Sequence, residues 1–332
     1  MKYYVTGDIH GDFNDLSYRI KENGIKTGDC LIILGDAGFN YFQNARDIIL
    51  KSSANDLGIT LFCIRGNHEI RPANIGTYKE KVWNEGKVWY ESDFPNLLFA
   101  KDGEIYNING NKALVIGGAY SVDKYYRAAR FFMDYNGLIP LPIFKNLIKL
   151  AEGNDIKLED KKEVDEFLIS DNMTFVNYGW WKDEQISEKD KEKINALLSA
   201  TNKFDIILSH TCPLKFEPTE VFIRGLNQNL VDKNMESWLN EVEGKVNYKN
   251  WYAGHFHTDK DLNNGFEFLF KSVKEIPAKT CGECDNFIGC GDWNLCCKLP
   301  HPESGPFGHL CYDNSEACSK FTEKRDEDAK TD

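Results

Sequence analysis

Short apolar runs that stop abruptly at a polar, glycine-rich turn recur along the chain, and this pattern constrains the fold more than any other feature. Lys2–Thr6 ends in Gly7-Asp8-Ile9-His10-Gly11, Cys30–Leu34 in Gly35-Asp36-Ala37-Gly38, and Thr60–Ile64 in Arg65-Gly66-Asn67-His68-Glu69. Helix-like stretches, Asn14–Asn23 and Asn44–Ser53, lie between them. Strand, loop, helix and strand in alternation predict an α/β sheet with its active groups on loops leaving the strand ends. Further strands are expected at Glu104–Ile108, Ala113–Ile116, Phe204–Ser209 and Asn250–Ala253. The last two run into His210-Thr211 and Gly254-His255-Phe256-His257. Residues 139–200 hold few strand signals and many Lys, Glu and Leu, which predicts a helical cap or flank.

The 332 residues suggest two domains, or one large domain with an appendage. With 42% hydrophobic and 28% charged residues, the bulk of the chain is excluded from disordered and collagen-like classes. No run approaches the ~18 apolar residues of a membrane span, and the start has no apolar signal region, so a cytoplasmic protein is expected. The formal charge of −12 argues against broad binding to nucleic acid or an anionic membrane, although a local basic patch would survive that test.

Seven histidines are present, and the five before residue 260 all sit at predicted strand ends beside Gly, Asp, Asn or Ser. Imidazole, carboxylate and amide oxygen together are a ligand set for Zn, Mn or Fe, while the lack of cysteine among them disfavours a closed structural zinc site. Two divalent ions about 3.5–4 Å apart need one bridging carboxylate, with nitrogen and oxygen ligands completing each shell. Such a pair lowers the pKa of a shared water and neutralises the oxygens of a phosphate as charge builds.

Gly7-Asp8-x-His10-Gly11, Gly35-Asp36, Gly66-Asn67-His68-Glu69, His210 and Gly254-His255-x-His257, in this order, resemble the motif series of the calcineurin-like metallophosphoesterases. The likeness spans roughly residues 1–275. It implies a four-layer αββα sandwich with two divalent ions (Mn, Fe, Zn or Co) between facing sheets. Asp8, His10 and His257 would hold the first ion, Asp36 would bridge, and Asn67, His210 and His255 would hold the second. His68 matches the family's non-ligand histidine, which protonates or stabilises the leaving oxygen. Attack by a hydroxide bridging the ions on a phosphate ester is the implied reaction, with a phosphomonoesterase as the leading reading. A phosphodiesterase or nuclease is the alternative. A binding protein with a vestigial site is a third, and the complete ligand set speaks against it.

The chain also departs from the family pattern. In the protein-phosphatase branch the second motif continues with an Asp that supports the histidine and an Arg that binds phosphate; here those positions are Phe39 and Asn40. A phosphate clamp must come from elsewhere, with Arg65, Arg71, Arg127 and Arg130 as candidates because guanidinium forks suit phosphate oxygens. Alternatively, the substrate has fewer free oxygens, as a diester does. The stretch Gly117–Arg127 could line the substrate pocket or start a helix capped by Ser121. The pair Trp180-Trp181, near Glu184, fits either base stacking or a domain seam.

Composition changes near Pro277. Only three of ten cysteines precede it; Cys281, Cys284, Cys290, Cys296, Cys297, Cys311 and Cys318 follow. Residues 1–276 are therefore expected to form the phosphoesterase domain, 277–318 a cysteine-rich module and 319–332 a disordered end. A structural zinc, supplemented from His301 and His309, or an iron–sulfur cluster would staple such a module; disulfides fit least. Its partner is unspecified by sequence.

Overall fold

The structure is a computed structural model that describes residues 1–135, 139–170, 175 and 178–280. Its strands are β1 (Tyr3–Thr6), β2 (Cys30–Ile33), β3 (Thr60–Cys63), β4 (Lys79–Trp83), β5 (Gly86–Tyr90), β6 (Leu97–Ala100), β7 (Ile105–Ile108), β8 (Asn111–Ile116), β9 (Ile206–Ser209), β10 (Asn250–Ala253), β11 (Lys260–Asp261), β12 (Phe266–Phe268) and β13 (Val273–Ile276). The helices are α1 (Phe13–Glu22), α2 (Ala45–Asn55), α3 (Lys124–Tyr135), α4 (Leu141–Ala151), α5 (Leu158–Leu168), α6 (Glu188–Ala200) and α7 (Asn234–Glu243).

The strands form two sheets, of order β13-β1-β2-β3-β6-β5-β4 and β11-β12-β10-β9-β8-β7. Alternation along each strand explains how they stack. In β2, Cys30 and Ile32 point into a core shared with Val115, Leu208 and Tyr252 of the other sheet. Leu31 and Ile33 point the opposite way, against Leu16 of α1 and Ala54 of α2. In β10, Trp251 and Ala253 face Ile194 of α6 and Trp238 of α7. The result is a four-layer αββα sandwich. Both faces of the central strands are buried, which is why they read as continuous apolar runs rather than alternating ones. Each fully buried Ile or Leu contributes about 1.5–3 kcal/mol.

A separate apolar cluster joins Tyr125, Ala129 and Phe132 of α3, Leu147 of α4 and Val164 of α5 with Trp180. The predicted helices in 139–200 thus divide. α4 and α5 build this satellite with α3, whereas α6 flanks the second sheet.

Several strands escaped the sequence reading. β4 and β5 form a hairpin closed by Asn84 and Glu85, both at positive φ (47° and 71°), a type I′ arrangement. β4 is mostly exposed and charged, so it carries no apolar signature. β12 has only three residues, and β13 carries Lys274 and Glu275 between its apolar ends, so neither stands out. Among the described residues no helix is long and apolar enough to cross a membrane. The cysteines from Cys281 onward and the expected terminal segment lie outside the described residues.

Register places the functional loops together. Thr6 pairs with Ile33 and Ile33 with Cys63 in one sheet, and Ser209 pairs with Ala253 in the other, all in parallel ladders. The segments that follow therefore emerge along one common edge.

Candidate metal centre

The first sheet delivers Asp8, His10, Asp36, Asn67 and His68 to this edge, and the second delivers His210, His255 and His257. Four of them, His10, Asp36, His255 and His257, have φ between 48° and 66°. The left-handed region costs a residue with a side chain of order 1 kcal/mol, so the surrounding structure must hold them there. Glycine supplies the room. A Cβ on Gly66 would sit inside the Asp36 carboxylate, one on Gly35 inside the His210 ring, and one on Gly254 within 2.5 Å of Asp8 Oδ1. Buried Arg19 fastens the first loop, donating to Thr6 Oγ1 at 2.7 Å and to the Asp8 carbonyl at 2.9 Å.

Each carboxylate is gripped on one side only. The His255 amide donates to Asp8 Oδ1 at 3.0 Å, and the His68 amide to Asp36 Oδ1 at 2.8 Å. Asp8 Oδ2 is buried without a hydrogen-bond partner among the described residues. His257 Nε2 lies 3.2 Å from it, His10 Nε2 3.6 Å, and the two Nε2 atoms are 2.9 Å apart. Asp36 Oδ2 lies 3.9 Å from His10 Nδ1 and 3.7 Å from His210 Nε2. His210 Nδ1 is 2.6 Å from the Leu34 carbonyl, which fixes Nδ1 as the donor and frees Nε2 to ligate. Among the described residues two groups could hold an ion, Asp8–His10–His257 and Asp8–Asp36–His210. An unpartnered buried carboxylate oxygen facing imidazole nitrogens is a donor set that fits divalent cations.

Electrostatics agrees. Burial would raise both aspartates, but His210, with His257 and His10 beside Asp8 and with His68 beside Asp36, outweighs it and holds them below the usual carboxylate range. Burial, then the neighbouring His210, pushes His255 down to about 3, so it is neutral at pH 7, the form able to ligate.

Asn67 is oriented by Ser121. Its Nδ2 donates to Ser121 Oγ at 2.9 Å, leaving Oδ1 2.8 Å from His210 Nε2. Ser121 in turn bonds the buried Glu184. Helix α3 begins at Lys124, whose amide donates to the Ser121 carbonyl rather than to its hydroxyl. Glu69 Oε1 accepts from the Gly66 amide at 2.8 Å and braces the same loop.

The centre opens into a cavity of about 690 Å³. His10, Asp36, Asn67, His68, His255 and His257 border it on one side, and Tyr120, Val122, Asp123 and Arg127 on another. His68 Nδ1 lies 3.0 Å from the Gly179 carbonyl, so Nε2 is its free nitrogen.

The arginine candidates separate. Arg65 is buried and spent on Asp102 and on the carbonyls of Glu184 and Gly117. Arg71 holds the carbonyls of Asp183 and Gln185, and Arg130 meets Asp134 on the surface. None of these three borders the cavity, so a phosphate clamp from Arg65 or Arg71 has no geometric basis: their guanidiniums staple loops instead. Arg127 does border it, donating through Nε to Asp123 and through Nη1 to Tyr41 Oη and the Tyr178 carbonyl. Neither tryptophan of the pair lines the cavity. Trp180 fills the satellite core and Trp181 packs edge-on against Tyr41 at 5.6 Å, which is the seam arrangement. Phe39 is core and Asn40 Oδ1 accepts from Tyr78 Oη, so these positions serve packing.

A two-sheet sandwich with a histidine and aspartate centre on one edge defines the class, and comparison gives the family. A family model described as calcineurin-like phosphoesterase matches residues 1–259, so the chain belongs to that family and is a metal-dependent phosphoric ester hydrolase. Among solved structures, the chain is similar to a phosphopantetheinyl hydrolase from Mycobacterium tuberculosis. Identity is 12% and the TM-score 0.42, covering 81% of this chain and 88% of that one.

Proposed function

We propose that the protein is a phosphomonoesterase in which Asp8, His10 and His257 hold one ion, Asn67, His210 and His255 hold a second, and Asp36 bridges them. Ions bound there would supply an activated water and neutralise phosphate oxygens. His68 then acts on the other side of the reaction. With Nδ1 committed to the Gly179 carbonyl, its Nε2 is the nitrogen available to protonate the departing alcohol oxygen.

The observation that carries the monoester reading is Arg127. It borders the cavity, and its Nη2 has no partner among the described residues. A guanidinium nitrogen at that place suits a non-bridging phosphate oxygen, and a monoester dianion offers three of them. Asp123 and Tyr41 hold the fork in position, so its ordering does not have to be met on binding.

The absence of an Asp-Arg pair at Phe39 and Asn40 favours a second reading, a phosphodiesterase, because a diester has fewer oxygens to clamp. Parallel turnover of p-nitrophenyl phosphate and bis-p-nitrophenyl phosphate decides between them. Faster turnover of the monoester, with Arg127→Ala raising KM more than it lowers kcat, is the expected result. A preference for the bis ester would replace the first reading by the second.

A further inference from the structure

The cavity extends beyond the metal centre to a wall built from residues 217–236. Val221, Phe222, Leu226 and Val231 give this wall an apolar face. Its volume of about 690 Å³ falls in the range of small-molecule sites, roughly 300–1,000 Å³, and far exceeds what a phosphate group fills. Phe222 is tied into the metal loop, since its ring stacks on Phe256 at 6.1 Å and 19°. Apolar wall and metal ligands are thus two sides of one continuous space.

The charges in that space are unevenly committed. Lys233 meets Glu217 at 2.6 Å and sits 4.7 Å from the Phe222 ring, and Arg127 is held by Asp123. These are the cations bordering the cavity among the described residues, and each has its carboxylate. Two buried carboxylate oxygens have no partner among the described residues, Asp123 Oδ1 and Glu236 Oε2, and both residues border the cavity. Thr211 satisfies the other Glu236 oxygen at 2.7 Å. A buried acceptor without a donor is destabilised, and a ligand donor would relieve it. Among the described residues no further cation borders the cavity to meet a second phosphate.

We propose that this far end is the subsite for the alcohol part of the ester, and that it takes a small alcohol with an aromatic or apolar body and a hydroxyl or amino donor. The proposal rests on the monoesterase reading and adds to it what leaves with the oxygen. The aromatic body packs between Phe222 and Val231, and the donor reaches Glu236 Oε2.

The test compares kcat/KM of the full-length, manganese-loaded protein on tyramine phosphate, phenyl phosphate, 3-phosphoglycerate and a short phosphotyrosyl peptide. Tyramine phosphate should exceed phenyl phosphate about tenfold, the worth of one charge-assisted hydrogen bond, with the other two below both. Glu236→Gln should remove that preference about tenfold, and calorimetric binding of tyramine should weaken in parallel. The ranking on the unaltered protein stands even where the variant fails to fold. If 3-phosphoglycerate or the peptide is turned over best, or if tyramine phosphate gains nothing over phenyl phosphate, the subsite is not as described. No turnover of any of the four by protein holding two ions would overturn the monoesterase reading and the subsite with it, whereas a changed ranking overturns the subsite alone.

Discussion

The two sides of the cavity are built by different means. On the near side, the candidate ligands follow the ends of parallel strands whose register fixes where every loop begins. Those loops are braced by buried bonds such as Arg19 to the Asp8 carbonyl and Gly66 to Glu69. On the far side, residues 214–230 run through three short 3₁₀ turns, Leu214–Phe216, Thr219–Val221 and Gln228–Leu230, with no ladder to fix them. Val221 and Ile223 there are 40% and 63% exposed. The contrast teaches that the candidate ligands are set by sheet register, whereas the far wall is an irregular segment outside the sheets that meets them through Phe222 and Phe256.

The sharpest way to break the comparison is on the near side. Asp36→Asn should cost roughly 10³-fold or more in kcat and lower the metal content counted by mass spectrometry from two ions per chain. Retention of both ions would mean that the bridging role is wrong. His68→Gln should cost about 10²–10³-fold in kcat with an alkyl phosphate while the metal count stays at two. The deficit should shrink with p-nitrophenyl phosphate, whose leaving group needs no proton. An equal deficit on both substrates would argue that His68 positions rather than protonates. Ser121→Ala should weaken metal binding about 10–100-fold in a competition titration, and Ser121→Thr should restore most of it. Rescue is the informative outcome, since a packing defect would not be repaired by the hydroxyl.

A smaller effect tests both sides at once. Burial pushes Glu184, behind the near side, and Glu236, on the far side, each up to about 7. A carboxyl whose folded pKa is raised stabilises the protein fully below its unfolded value and loses that contribution as pH rises through the folded one. Metal-free protein should therefore lose stability between pH 6.5 and 8. His255, lowered to about 3, and His10, also lowered by burial, act in the opposite sense as pH rises through their unfolded value of 6.5, so the comparison with the glutamine variants isolates the carboxyls. Denaturant melts of Glu184→Gln and Glu236→Gln should each show a fall smaller by about 1 kcal/mol, and their ratio says which side carries more of it.

The near side was legible because its chemistry demands particular residue types. Aspartate, asparagine and histidine beside glycine are not packing residues, so they stand out as a pattern from Asp8 to His257. The far side left no such mark: Val221, Phe222 and Leu226 look in sequence like any apolar segment, and only tertiary placement makes them a wall. The arginines show the same limit. Arg65 lies one residue from the Gly66 motif yet turns into the interior, whereas Arg127, distant in sequence, reaches the cavity because α3 begins where it does. The β4–β5 hairpin was hidden by its exposed edge, and Ser121 by the need for a partner 54 residues away to give its hydroxyl a purpose.

Phe256, flanked by His255 and His257 and stacked on Phe222, sets a limit on how such a protein can diversify. A lineage that re-tools the far wall for a new alcohol alters what presses on the metal loop through this one ring. Side chains in contact do not vary independently. Acquiring a new substrate would then tend to proceed through pairs of changes, one at the wall and one near the ligands that restores their grip, rather than through single exchanges along the irregular segment.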